Sequence, residues 1–267
     1  MHTTSNENIL LAGPWVGEFG WELFCWQGYI RKISRNFDKT IVIGRPTNEF
    51  LYTDFCDQYI KFDPESFNTD AWRCEGAKSH KYIVDNTPHT RYISGNFDIG
   101  MRYTHNGVID TKGWFFNNQE YHKYKNVSDS YFDVIFHCRN KITGSERNWS
   151  KKQWEELYRL LPENLIVGCI GNSESFHIDG TWDLRNIGLD KLVGILGNSK
   201  IIVGPSSGPM HLASLCGVKH LVWSTEYNRV RYEKDWNPFK TEVIFYSEGG
   251  WNPNPEKIKD NILNNIL

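Results

Sequence analysis

The chain has 267 residues, of which 39% are hydrophobic and 15% aromatic, with 11 Trp, 13 Tyr and 15 Phe. That ring content excludes intrinsic disorder as the dominant state, because disordered chains are poor in aromatics. A formal net charge of −2 excludes a whole-chain basic footprint for nucleic acid, although a local basic patch stays open.

At roughly 150 residues per domain, the length fits about 1.8 domains, one large or two small. The six cysteines, Cys25, Cys56, Cys74, Cys138, Cys169 and Cys216, include no CxxC pair, so they read as reduced thiols rather than as a metal or redox motif. No metal site is expected. Residues 1–8 are polar and carry no signal-peptide pattern, and the apolar runs fall far short of a membrane span. A cytoplasmic protein with no stable membrane insertion is the expectation.

Short apolar runs alternate with helical periods along the chain. Residues 9–13 read as a strand, residues 21–34 as a helix with Leu23, Trp26, Gln27, Ile30 and Ile33 on one face, and residues 40–44 as a second strand. A short helix over 48–56 and a third strand over 58–62 follow. From 63 to 129 the pattern weakens, and only 81–84 reads as a strand. Regularity returns with a strand over 131–138 and a polar loop carrying Arg139, Lys141 and Arg147. Ser150 predicts an N-cap for a helix over 151–161, with Gln153 at the capping-box position. Strands over 165–171, 182–184, 200–204, 220–223 and 242–246 alternate with helices over 189–196, 210–216 and 255–267. The fold class this implies is α/β, with two Rossmann-like doubly wound domains, residues 1–129 and 130–267, facing a cleft. The terminal helix can pack back on the first domain.

In such sheets ligands bind beyond the carboxyl ends of the strands. Gly204-Pro-Ser-Ser-Gly-Pro-Met-His there joins a strand to a helix N-terminus, where backbone N–H groups and the helix dipole suit a diphosphate. Ser206 and Ser207 add hydroxyl donors, and Gly208 permits close approach. The same residues also fit an ordinary Ser-capped turn. His211 either donates to a phosphate or braces the loop as a core histidine. Arg139, Lys141 and Arg147 form a second anion-binding element on the same sheet edge, or a solvated loop. In the first half, Gly17-Glu-Phe-Gly-Trp-Glu places Glu18 and Glu22 at a glycine turn, either one a general base, with Glu22 alternatively favouring a helix N-terminus. Trp15 and Trp21 either stack on an acceptor or pack the core.

Gly204-Pro-Ser-Ser-Gly-Pro-Met-His-Leu-Ala-Ser-Leu-Cys-Gly-Val resembles the D-[ST]-G-P-M-H-L-A-A-x-x-G loop and helix of the heptosyltransferase-like glycosyltransferases, glycosyltransferase family 9. Glu146-Arg-Asn-Trp-Ser-Lys-Lys-Gln-Trp-Glu-Glu-Leu resembles that family's K-x-W-P-x-x-x-W-x-x-L, and Asp183-Leu with residues 189–196 resembles its D-L-x-G-x-x-x-L-x-x-L. The match covers about a third of the chain, residues 134–224.

The resemblance implies a GT-B fold with a reduced first domain. It implies inverting transfer from a nucleotide-diphosphate-sugar, used as co-substrate with no metal or other cofactor. It places Ser207, Gly208, Pro209, Met210 and His211 along the diphosphate and sugar, and Arg147 where the family has lysine. Gly171 and Glu174 fall in the nucleotide-binding region. Glu18 or Glu22 becomes the base, and Trp15, Gly17 and Trp21 the acceptor side. Ser206 departs from the family aspartate, which leaves the donor sugar open.

The expected enzyme is therefore a metal-independent glycosyltransferase of hexosyl or pentosyl type, with a glycan acceptor. A hydroxymethylated DNA base, as used by phage-type glycosyltransferases, is an alternative acceptor, and near-neutral charge counts against it. A non-catalytic nucleotide-sugar or carbohydrate-binding protein is the alternative from another class, kept open by Ser206. A Rossmann oxidoreductase is disfavoured, because no GxGxxG fingerprint follows a strand.

Overall fold

A computed structural model of the chain describes residues 7–64, 78–95 and 119–266. Much of the weakly patterned stretch, 65–77 and 96–118, lies outside them, as does Cys74. The chain divides into two compact units, Met1–Tyr121 and His122–Leu267.

In the first unit, β1 (Ile9–Trp15), β2 (Lys39–Gly44), β3 (Gln58–Lys61) and β4 (Arg91–Gly95) form a parallel sheet in the order β3-β2-β1-β4. Leu10, Leu11 and Ala12 are fully buried, as a central parallel strand covered on both faces requires. Gly13 has φ +102°, and a Cβ there would lie 2.2 Å from the Ile43 carbonyl oxygen, so the crossing to β2 depends on glycine. Beyond β1 the chain turns helical at Phe19–Trp21, widens to a π-helix at Glu22–Trp26 and continues as α1 (Gln27–Ser34). Leu23, Trp26 and Ile30 face the core, as their period predicts.

Two expectations in this unit are corrected. The helix expected over 48–56 is a shorter 3₁₀ turn, Pro46–Leu51, which begins on a proline suited to the first helical position. Residues 81–84 are not a strand. They open α2 (Lys81–Asn86), and the strand that pairs with β1 is β4, ten residues on. A parallel partner needs a crossover, so a helix stands before β4. Ile83 and Val84 pack against Leu11, Ile41 and Ile43 from outside, while Lys81 and Asp85 pair at 2.5 Å one turn apart.

The second unit follows its predicted pattern closely. It comprises β5 (Phe132–His137), α3 (Lys151–Leu160), β6 (Val167–Gly171), β7 (Trp182–Arg185), α4 (Leu189–Gly197), β8 (Ser199–Pro205), α5 (Gly208–Cys216), β9 (His220–Trp223), β10 (Val243–Tyr246) and α6 (Pro255–Ile266). Ser150 and Gln153 form the predicted capping box on α3, and Gly217 closes α5 at φ +71°. The parallel sheet runs β10-β9-β8-β5-β6-β7. Counted within the unit, this is the doubly wound Rossmann order, and its switch point lies between β5 and β8. The fold class read from the sequence is thus observed: α/β, with two parallel, Rossmann-like sheets.

Trp149, Trp154 and Trp223 pack ring to ring in this unit's core, with centroids 4.5 to 5.5 Å apart. Each such pair contributes about 0.5–1.5 kcal/mol beyond its buried area. Ile258 and Ile262 of α6 are buried in the same core.

Candidate functional site

At the switch point of the second unit, the chains leaving β5 and β8 part to opposite sides. Gly204 sits at this divide, where a Cβ would lie 3.0 Å from the His137 Cβ and 3.2 Å from the Met210 sulfur. Burial pushes His137 down to about 3, and the charges of Lys141 and Arg139 add to the effect, so it is a neutral ring beneath the site.

The segment after β8 enters α5 through Ser207, the N-cap residue, whose side chain makes no capping hydrogen bond. The Ser207 hydroxyl oxygen is buried and has no partner among the described residues. The first-turn N–H groups of a helix have no intrahelical acceptor, so Gly208 and Met210 present theirs at this end, where the dipole favours an anion. Pro209 has no N–H to offer. The Ser207 amide is not part of that set: it donates to the Tyr232 hydroxyl at 3.2 Å, and that hydroxyl donates to Ser206 Oγ at 3.0 Å. Tyr232 therefore clamps the turn from the π-helix Arg231–Asp235, 25 residues further along.

His211 stacks on Tyr232 at 4.2 Å and meets the edge of Trp236 at 4.6 Å. Burial and the charges of Arg231, His220 and Arg147 hold it well below the ordinary histidine range. It is a neutral ring packed between Tyr232 and Trp236. Met210 is fully buried beneath the same turn.

The three basic residues of the loop after β5 divide by role. Arg139 is buried, and its guanidinium donates to the carbonyls of Thr143 and Gly144, at 2.7 and 2.9 Å, and to Asn148. It shapes the loop rather than presenting charge to a ligand. Lys141 is exposed, and Arg147 is half-buried, lying 5.8 Å over the Trp251 ring and 3.8 Å from Glu146. Arg147 and Arg231 both act on His211 and Tyr232, which places cationic charge beside the α5 N-terminus. Gly171 ends β6 at φ +145°, and the exposed Glu174 accepts from Asn140 Nδ2 through its carbonyl at 2.9 Å, joining the loops after β5 and β6.

In the first unit, Glu18 is half-buried at the helix start, with no side-chain capping bond. Glu22 is 2% exposed. Its Oε2 accepts from Asn48 Nδ2 and its Oε1 from the Tyr52 hydroxyl, each at 2.7 Å. Burial raises its pKa to about 7, against the lowering effects of Tyr52, Arg45 and Asn48. Trp15 and Trp21 are core residues, 2% and 4% exposed, and offer no open ring face to an acceptor. Trp15 stacks on Trp26 at 5.9 Å and lies directly under Gly17, where a Cβ would meet its ring at 2.6 Å.

Sequence reading missed Tyr232, Trp236, Arg231, His137, Asn48 and Tyr52. None sits in a motif, and the only advance signal was position after a strand, which places His137 and Asn48 near carboxyl ends. Among the described residues no cluster of His, Cys, Asp or Glu is arranged to hold a metal, and no helix is long and apolar enough to cross a membrane.

No family model and no curated protein matches the chain. Solved structures do. The chain is similar to the family 9 glycosyl transferase of Veillonella parvula, with a TM-score of 0.57 and 10% identity over 97% of this chain and 96% of that one. It is similar to the E. coli ADP-heptose lipopolysaccharide heptosyltransferase II, with a TM-score of 0.59 and 16% identity over 96% and 97%. The E. coli heptosyltransferase WaaC, solved with ADP-2-deoxy-2-fluoro heptose, gives 0.60 and 10% over 96% and 99%. At these identities the likeness is one of fold, and the fold is GT-B-like.

Proposed function

We propose that this protein is an inverting glycosyltransferase that moves a sugar from a nucleotide-diphosphate-sugar to a hydroxyl of a glycan acceptor, without a metal. One observation carries the reading: at the switch point between β5 and β8, an α5 N-terminus without a side-chain cap stands beside Arg147 and Arg231. N–H donors, a helix dipole and guanidinium groups together suit a diphosphate. The ADP-heptose and ADP-fluoroheptose named with the similar structures support the same donor class.

In this reading the acceptor oxygen attacks the anomeric carbon, the bond from that carbon to the diphosphate oxygen breaks, and the configuration inverts. The Gly208 and Met210 amides and Arg147 stabilise the charge left on the diphosphate. Glu18 takes the acceptor proton, because it is only half-buried, whereas both Glu22 oxygens are already hydrogen-bonded in the interior.

Thermal-shift measurements with nucleoside diphosphates and their sugars test the proposal. A rise in melting temperature with at least one nucleoside diphosphate is expected. No rise with any of them would remove the donor site and the reading with it.

A further inference from the structure

Cys138 and Cys169 lie on neighbouring strands of the second sheet. Cys169 is in register with Phe136 on β5, and Cys138 follows Phe136 by two residues. Residues two apart on a strand share a face, so the two thiols project to the same side. Their sulfurs are 3.7 Å apart and share a hydrogen bond, and both side chains are fully buried. The Cys169 sulfur also lies 3.1 Å from Thr181 Oγ1.

We propose that Cys138 and Cys169 form an oxidisable pair, at which hydrogen peroxide converts two thiols into one disulfide between β5 and the end of β6. The Cys169 sulfur attacks one peroxide oxygen. An S–O bond forms, the O–O bond breaks, and the departing hydroxide takes the thiol proton and leaves as water. The Cys138 sulfur then attacks Cys169. The S–S bond forms, the S–O bond breaks, and a second water leaves with the Cys138 proton. Two thiols and one peroxide give one disulfide and two waters.

The surroundings assign these roles. The Cys138 hydrogen bond holds the Cys169 thiol below the ordinary range, with Thr181 and the nearby His177 acting the same way, whereas burial pushes Cys138 up. Cys169 is thus the better thiolate and Cys138 the resolving thiol. Closing the sulfurs to about 2.05 Å requires a shift that Cys138 can make, because β5 ends at His137 and Cys138 opens the following loop. Residues 172–181 beside the pair contain no helix or strand, so they open locally at less cost than the sheet. An opening of that kind admits a peroxide, which is close to water in size, and not a bulky disulfide.

The test is hydrogen peroxide treatment of the whole protein followed by non-reducing peptide mapping. Tryptic peptides 126–139 and 160–185 are expected to appear linked, with the loss of two hydrogens, and to separate on treatment with dithiothreitol. Oxidised glutathione is expected to leave them unlinked. In Cys138→Ser, Cys169 is expected to be captured as a sulfenic acid by dimedone. Unlinked peptides at a peroxide dose that oxidises the half-exposed Cys56, or linkage of either cysteine to a different thiol, would overturn the proposal. So would dimedone capture of Cys138 in Cys169→Ser with none of Cys169 in Cys138→Ser, which would reverse the assigned roles.

Discussion

The Tyr52 hydroxyl donates to Glu22 Oε1 at 2.7 Å, across 30 residues of sequence. With Asn48 on the other oxygen, this bond ties the helix after β1 to the 3₁₀ turn after β2, at the carboxyl edge of the first sheet. The carboxyl group is in the interior, and burial raises its pKa from 4.5 to about 7.

That shift makes stability depend on pH. An acid whose folded pKa is raised contributes its full stability below its ordinary value and loses it as pH rises through the folded value. Unfolding free energy is therefore expected to fall between about pH 4.5 and about pH 7, by about 3 kcal/mol from this group. Denaturant titrations on either side of that window measure it. Glu22→Gln is expected to flatten the slope, and an unchanged slope in that variant would remove Glu22 as its source.

Tyr52→Phe removes one of the two donors that favour the charged carboxylate. The Glu22 pKa is expected to move further up, read by carbon NMR of labelled glutamate. Above that pKa the variant is expected to lose about 1–3 kcal/mol, the cost of a hydrogen bond to a buried charge.

The proposed mechanism predicts different effects for the two glutamates. Glu18→Gln is expected to lower sugar transfer by about 10²–10⁴-fold, the usual worth of a general base, with nucleotide affinity unchanged. Glu22→Gln is expected to act on the pH dependence of stability. Full transfer activity in Glu18→Gln, measured with whichever donor the thermal-shift panel identifies, would move the base elsewhere.

Arg139 and Arg147 make opposite predictions. Arg139→Ala leaves the Thr143 and Gly144 carbonyls without a buried donor, and is expected to cost about 2–4 kcal/mol of stability. Arg147→Ala is expected to leave stability within about 1 kcal/mol and to weaken nucleoside diphosphate binding about tenfold or more, measured by calorimetry.

Tyr232→Phe deletes the hydroxyl that clamps Ser206 and Ser207. A stability loss of about 1 kcal/mol is expected, together with weaker nucleotide binding as the turn loosens. Binding unchanged in this variant would show that the turn holds its shape without the clamp.

The sequence by itself determined the second unit. Its strands are continuous apolar runs, its helices carry caps such as Ser150 and Gly217, and its motif turn falls at the end of β8, so local signals and tertiary demands agree. The turn proposed here to bind the donor, after β8, was read from the same signals. In the first unit local signals misled at residues 81–84, where Ile83 and Val84 read as strand until the crossover to β4 required a helix. Only the tertiary structure decided what each candidate side chain does. Burial made Glu22 a shifted interior acid and Trp15 and Trp21 core rings, and loop closure turned the Arg139 guanidinium inward. Tyr232 reached Ser207 because the chain returned past β9. Charge, accessibility and hydrogen-bond partnership depend on neighbours distant in sequence, and no window of residues read along the chain contains them.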